Sequence, residues 1–405
     1  MRRSPPARRR LLAVSMGDAA LLAGRAAVQL GWNGIETFAG RIRAGAIPLR
    51  VADVTPAWLT RALQPCAEGV VVSRVDAIGL ESGTTERARL ALRFEGPGQR
   101  TDLPSAMFVK LAPRDLGTKL FVGLLGLGRS EVDFYRTARH GLPVRAPRVY
   151  FAAAARRGTR FVLLLEDLVA SGCRFADITT PSDPVRARAV MQALAKLHAA
   201  YWASPRLHGD LAWRPSSPQD PVFRIGRILS DLALRPALTR FGELVPAELK
   251  AAAGFVSENR LALEALWARP PLTLIHGDAH LGNLFFDGPE VGFLDWQVVQ
   301  RGQGLRDVTY FLTNSLSVET RRAHGEELIR VYLTALAEAG APPVPFSVAW
   351  EQHRLHALYT WISCVVTAAA ATLQREAIVR TGLERSSAAV VELDSLGALR
   401  DQIGG

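Results

Sequence analysis

A chain of 405 residues is longer than one compact core usually accommodates, and a hydrophobic content of 48% excludes a disordered protein. The net charge of +11 invites a nucleic-acid reading, but five of its charges (Arg2, Arg3, Arg8, Arg9, Arg10) sit in a Pro-containing arm, and no basic stretch is interleaved with stacking aromatics. Cys66, Cys173 and Cys364 lie far apart and are odd in number, which suits reduced thiols in a cytoplasmic protein and gives no metal spacing.

Residues 1–50 give mixed signals and read as a partly disordered arm with one or two helical turns; Asp18 and Arg25 interrupt its apolar stretch, against a signal peptide. Thr55 and Pro56 then open a helix whose apolar face is Trp58, Leu59, Ala62 and Leu63. Val70 to Val75 reads as a strand. In the next strand Leu90, Leu92 and Phe94 alternate with Arg89, Ala91 and Arg93, the period of a half-buried sheet. Ala106 to Leu111 and Phe161 to Leu165 are further strands, with a helix over Ser130 to His140 between them. Beyond Asp167 the chain turns helical, with Val190, Leu194, Leu197 and Tyr201 on one face of a long helix. The expected class is α+β, divided into an arm (1–50), a small antiparallel-sheet unit (51–168) and a larger, mostly helical unit (169–405).

The chemistry concentrates in Leu274-Ile275-His276-Gly277-Asp278-Ala279-His280-Leu281-Gly282-Asn283-Leu284 and in Phe293-Leu294-Asp295-Trp296. Gly277 and Gly282 argue for a loop between short strands. Asp278 and Asn283 have the separation of base and metal ligand in kinase catalytic loops. Asp295 ends a buried apolar run, where a second metal-binding carboxylate is needed. The residue types suit a polyphosphate substrate: Mg²⁺ takes hard oxygen ligands, and a carboxylate kept off the metal can accept a hydroxyl proton.

This His-Gly-Asp-x-His-x-x-Asn loop, followed by a strand ending in Asp, resembles the aminoglycoside-phosphotransferase and choline-kinase group of the protein-kinase-like superfamily, nearest its ecdysteroid-kinase-like branch. The resemblance covers roughly residues 55–335 and implies a two-lobed protein-kinase-like fold, with a nucleotide-binding N-lobe and a C-lobe carrying the catalytic loop and acceptor-binding helices. It implies Asp278 as catalytic base, Asn283 and Asp295 as Mg²⁺ ligands, His276 as a loop-shaping residue and Asp307 as a brace of the loop. Lys110, alone in an apolar strand, would hold the α- and β-phosphates and pair with Glu131, with Asp133 as a rival partner. Glu166 and Leu168 would lie at the hinge that meets the adenine edge, and Gly83 and Thr84 in the turn covering the phosphates. That turn has fewer glycines than the protein-kinase pattern. The implied donor is ATP, with GTP as the alternative.

A second His-Gly-Asp, at His208 to Asp210, lacks the following Asn and reads as a loop. His276 and His280 have a zinc-protease separation, but Gly277 and Asp278 between them do not supply its Glu. Trp296-Gln297 replaces the Phe-Gly of protein kinases and the Ala-Pro-Glu segment is absent, against a protein substrate. Acidic and basic residues nearly balance beyond residue 305, which disfavours a polycationic aminoglycoside as acceptor. The uncharged stretch Ala357 to Leu373 is short for a membrane span and reads as core; if part of it lines the cleft, the acceptor is a largely apolar alcohol. The expectation is a small-molecule kinase acting on a neutral or lipophilic hydroxyl compound, with no nucleic-acid or membrane partner and no indication of oligomeric state. A catalytically silent, nucleotide- or partner-binding relative is the rival reading.

Overall fold

The computed structural model describes residues 15–42, 47–95, 103–180, 183–213, 218–370 and 374–404. The basic residues 2–10, and the last three residues of the uncharged stretch, lie outside them.

Where one or two helical turns were expected, the chain forms a single long helix, α1 (Met16–Ile42). It is held at several points: Asp18 pairs with Arg224 at 2.7 Å, and Asn33 Oδ1 accepts the Thr159 N–H at 3.0 Å. Next, α2 (Pro56–Leu63) starts as its sequence dictates, with the Thr55 hydroxyl accepting the Trp58 N–H at 3.2 Å and Pro56 at the first position. Strands β1 (Val71–Ser82), β2 (Glu86–Glu95) and β3 (Ala106–Leu111) follow. Two helices then interrupt the sheet where one was expected, α3 (Leu116–Leu124) and α4 (Leu127–Arg136), before β4 (Val149–Ala154) and β5 (Phe161–Glu166) complete it. All five strands pair antiparallel in the order β1-β2-β3-β5-β4. The alternation in β2 is used as read: Ala88, Leu90 and Leu92 are buried in a core with Trp58, Leu59, Val109 and Leu164.

The short β6 (Arg174–Phe175) leads into the helical lobe: α5 (Pro184–Ala200), α6 (Pro221–Phe241), α7 (Ala247–Glu258) and α8 (Arg260–Trp267). Asp183 caps α5 by accepting the Arg186 N–H at 2.7 Å. Short strands β7 (Thr273–Ile275), β8 (Leu284–Asp287), β9 (Glu290–Phe293) and β10 (Gln300–Gly302) frame the loop from His276 to Asn283, β8 pairing with β9 and β7 with β10. The chain ends in α9 (Leu305–Ser315), α10 (Val318–Glu338), α11 (Phe346–Ala369), α12 (Glu376–Glu392) and α13 (Ser395–Gly404). Among the described residues no helix is long and apolar enough to cross a membrane. The antiparallel sheet above a helical lobe is the two-lobed protein-kinase-like fold.

The uncharged stretch on α11 serves two environments. Leu358, Trp361, Val365 and Ala368 pack in a core with α6, α7 and α12, whereas Ile362, Ser363, Val366 and Thr367 reach the cavity between the lobes. Core packing alone, the sequence expectation, is therefore half the account: a helix between a core and a cleft can be apolar on both faces.

Candidate active site

The cavity between the lobes has a volume of about 980 Å³. Gly83, Thr84, Lys110, Glu131, Glu166 and Leu168 line it from the sheet side, and Asp278, Asn283 and Asp295 from the helical side. These nine residues thus line one space, whereas His276 and Asp307, also singled out from the sequence, lie beneath it.

Lys110 projects from β3 into an apolar setting, where an ammonium requires anionic partners. It has two, Glu131 Oε2 at 2.7 Å and Asp295 Oδ1 at 3.0 Å. The rival Asp133 turns away and meets Arg129 at 3.6 Å. Burial drives the Glu131 carboxyl above its ordinary value; Lys110 opposes that rise and the Asp295 charge adds to it. Burial works against the charge of Asp295 too, but there the Lys110 charge and hydrogen bond prevail and hold it below the usual carboxylate value. One ammonium between two carboxylates leaves Asp295 the better anion, and it is the one exposed to the cavity, at 29% against 1% for Glu131.

Asp295 adopts the left-handed backbone conformation, φ 62°, which is costly for a residue with a Cβ and persists only where surrounding packing enforces it. The next residue supplies that packing: the fully buried Trp296 ring stacks on Phe134 of α4, with centroids 4.0 Å apart and planes within 9°. Its indole N–H donates to Phe293 O at 3.1 Å. The aromatic anchor thus ties Asp295 to the helix that carries Glu131.

The loop before it is held from below. Asp307, fully buried on α9, accepts the N–H groups of His276 at 2.6 Å and Gly277 at 2.8 Å. Burial raises the Asp307 carboxyl, but the His198 hydrogen bond and neighbouring charges outweigh it and bring it below its ordinary value. The His276 ring bridges Leu294 O (Nε2, 2.9 Å) and the Asp278 N–H (Nδ1, 3.3 Å), so it accepts at Nδ1, donates at Nε2 and is neutral. Both nitrogens are occupied within the loop, which removes the zinc reading. Burial lowers its pKa. Gly277 takes φ +84° and lies where a Cβ would fall 2.4 Å from Val298 O, so only glycine fits.

Asn283 Nδ2 donates to Asp278 O and to Asp278 Oδ2, each at 2.9 Å, which turns its carbonyl oxygen away from Asp278. His280 Nδ1 accepts the Gly282 N–H at 3.0 Å and caps the same turn. At the hinge, Glu166 lines the cavity with its carboxylate occupied by Arg145 (2.5 and 2.9 Å) and Ser171 (2.8 Å). Asp167 pairs with Arg89 at 2.7 Å. The second His-Gly-Asp is a surface turn whose Asp210 pairs with Arg206 at 2.7 Å.

The model of the phosphotransferase enzyme family matches residues 106–344, from the strand of Lys110 past the catalytic loop and Asp307. The chain belongs to that family. A relative among curated proteins is an uncharacterised kinase-like protein of Caenorhabditis elegans, 26% identical over 253 residues, covering 57% of this chain and 62% of that protein. Among solved structures, an aminoglycoside 2'-phosphotransferase in its GDP complex is similar over 85% of this chain and 99% of its own, at 13% identity and a TM-score of 0.49. A choline/ethanolamine kinase family protein from Mesorhizobium loti covers 85% and 98%, at 16% identity and a TM-score of 0.46.

Three residues of this phosphotransferase's site escaped sequence reasoning. Tyr310 lines the cavity with its ring 5.8 Å from that of Tyr359, and Tyr359 donates to Gly277 O at 2.9 Å. Arg306 sits over the Tyr359 ring at 4.8 Å. Tyr310 stands one helical turn after Asp307 on α9, a spacing that could have identified it; Tyr359 lies on α11, distant in sequence, and had no signal.

Proposed function

We propose that this phosphotransferase moves the γ-phosphoryl group of ATP directly onto a hydroxyl of a lipophilic small molecule. The observation that carries the reading is the placement of the Lys110 ammonium, bound to Glu131 and Asp295, in one cavity with the Asp278 carboxylate. Lys110 holds the α- and β-phosphates, and Gly83 and Thr84 cover them. The backbone at Glu166 to Leu168 meets the base; GTP is the alternative donor. Asp278, oriented by Asn283, accepts the proton of the attacking hydroxyl as its oxygen bonds to the γ-phosphorus. The bond from that phosphorus to the bridging oxygen breaks, ADP departs, and no phosphoenzyme forms.

The donor set fits Mg²⁺: the free carbonyl oxygen of Asn283 and the anionic Asp295 are hard oxygen ligands, to be completed by phosphate and water. When bound, the ion neutralises phosphate charge and lowers the cost of transfer. Phe223, Trp267, Ile362, Val366 and Ile378 of the helical lobe also line the cavity and favour an acceptor with an apolar body.

The test is thermal stability with and without ATP or GTP plus Mg²⁺, on wild type and Asp295→Ala. A Mg²⁺-dependent rise in Tm that the variant lacks is expected. Absence of any rise with either nucleotide would favour a silent scaffold.

A further inference from the structure

The acceptor end of the cavity contains a cation that nothing in the proposed phosphoryl transfer uses. Arg306 is 6% exposed, lines the cavity, and lies against two rings that meet edge to face, 5.4 Å from the Trp267 centroid and 4.8 Å from that of Tyr359. Its Nε–H is buried with no hydrogen-bond partner among the described residues. The acidic groups around it are committed elsewhere. Glu264 receives both Arg227 and Arg260, the latter at 3.1 Å. Asp307, the next residue, accepts the N–H groups of His276 and Gly277 and meets His198 at 3.2 Å. Asp278 is held by Asn283 at 2.9 Å.

A buried guanidinium remains charged, and the faces of two aromatic rings offset only part of its lost hydration. Its rigid fork of donors is matched by a carboxylate or comparable oxyanion. Burial against the two rings confines the side chain, so little of its freedom is lost when an anion docks. The position is tied to the chemistry through Tyr359, whose ring contacts Arg306 and whose hydroxyl holds Gly277 O, beside Asp278.

We propose that Arg306 is a specificity residue that binds an anionic group, a carboxylate above all, on an acceptor whose apolar body fills the cavity and whose hydroxyl reaches Asp278. The acceptor is then a lipophilic hydroxy acid in place of a neutral alcohol, and polyamine acceptors are excluded by like charge. This rests on the phosphotransfer reading only for the hydroxyl; the anion site stands by itself.

The experiment measures binding of 12-hydroxydodecanoate and its methyl ester by calorimetry, to wild type, Arg306→Gln and Arg306→Lys, alongside the nucleotide-dependent Tm shift. The acid should bind wild type roughly ten- to a hundredfold more tightly than the ester, as expected for hydrogen bonds to a charged group. Arg306→Gln should erase that preference and Arg306→Lys should keep part of it. Equal binding of acid and ester to wild type, binding of neither, or a preference that survives Arg306→Gln would overturn the proposal. Should Arg306→Gln fail to fold, the wild-type comparison and Arg306→Lys still decide. An Arg306-dependent acid preference without a nucleotide shift would support the anion site and refute phosphotransfer.

Discussion

The carboxylate of Asp307 accepts the backbone N–H of His276 at 2.6 Å, across 31 residues of chain. With its second oxygen on Gly277, it fixes two consecutive peptide groups immediately before Asp278. Asp307→Ala would leave both N–H groups buried and unsatisfied, and should destabilise the protein by roughly 3–5 kcal/mol. Asp307→Asn, which keeps one acceptor oxygen, should cost less. Urea unfolding of both variants checks the order; equal stabilities would remove the brace.

Asp278 is asked to accept a proton, not to bind nucleotide. Asp278→Asn should therefore lower kcat by about 10²–10⁴ while the Mg²⁺-dependent affinity for ATP stays within a few-fold. Single-turnover kinetics with a nucleotide titration separates the two effects. Full turnover by the variant would refute the assignment.

Gly277 is constrained both by its φ of +84° and by the Val298 carbonyl facing it. Gly277→Ala should lose at least about 2 kcal/mol of stability through strain and backbone displacement. Because the next residue is Asp278, turnover should fall in the protein that remains folded. Thermal unfolding and kcat on the same preparation test it, and wild-type values for both would show that the loop tolerates a Cβ.

Acid should destabilise the helical lobe through its buried imidazoles. Burial, aided by Arg321, lowers His353 from the ordinary 6.5 to about 3, and burial pushes His356 well down as well. Their folded pKa values lie below the unfolded ones, so the unfolded chain binds more protons between the two. Stability present above pH 6.5 is then lost as pH falls toward 3. One such histidine accounts for roughly 2 kcal/mol at pH 5. His353→Gln, which can still hydrogen-bond Thr309, should show a shallower fall in urea midpoint between pH 7 and 5; an unchanged slope would assign the acid sensitivity elsewhere.

The local frame and the chemistry-bearing loop were legible in the residue types alone. Thr55-Pro56 starts a helix whatever surrounds it, because capping and the fixed φ of proline act within one turn. The alternation in β2 predicts a half-buried strand, since one face must leave water. The ordered loop from His276 to Asn283, followed by Asp295, resembles that of phosphotransferases, and the chain's membership of that family agrees. Tertiary structure decided what depends on residues distant in the chain. Only packing could choose Glu131 over Asp133 as partner of Lys110, since both lie on α4 and the orientation of that helix is set by Phe134 stacking on Trp296. The long helix α1 was not legible in its mixed sequence, because part of its support is contacts with Thr159 and Arg224, far along the chain. Arg306 met Tyr359, and Tyr359 met the Gly277 carbonyl, only when α9 and α11 packed together, and a lone arginine in a sequence carries no sign of what will surround it.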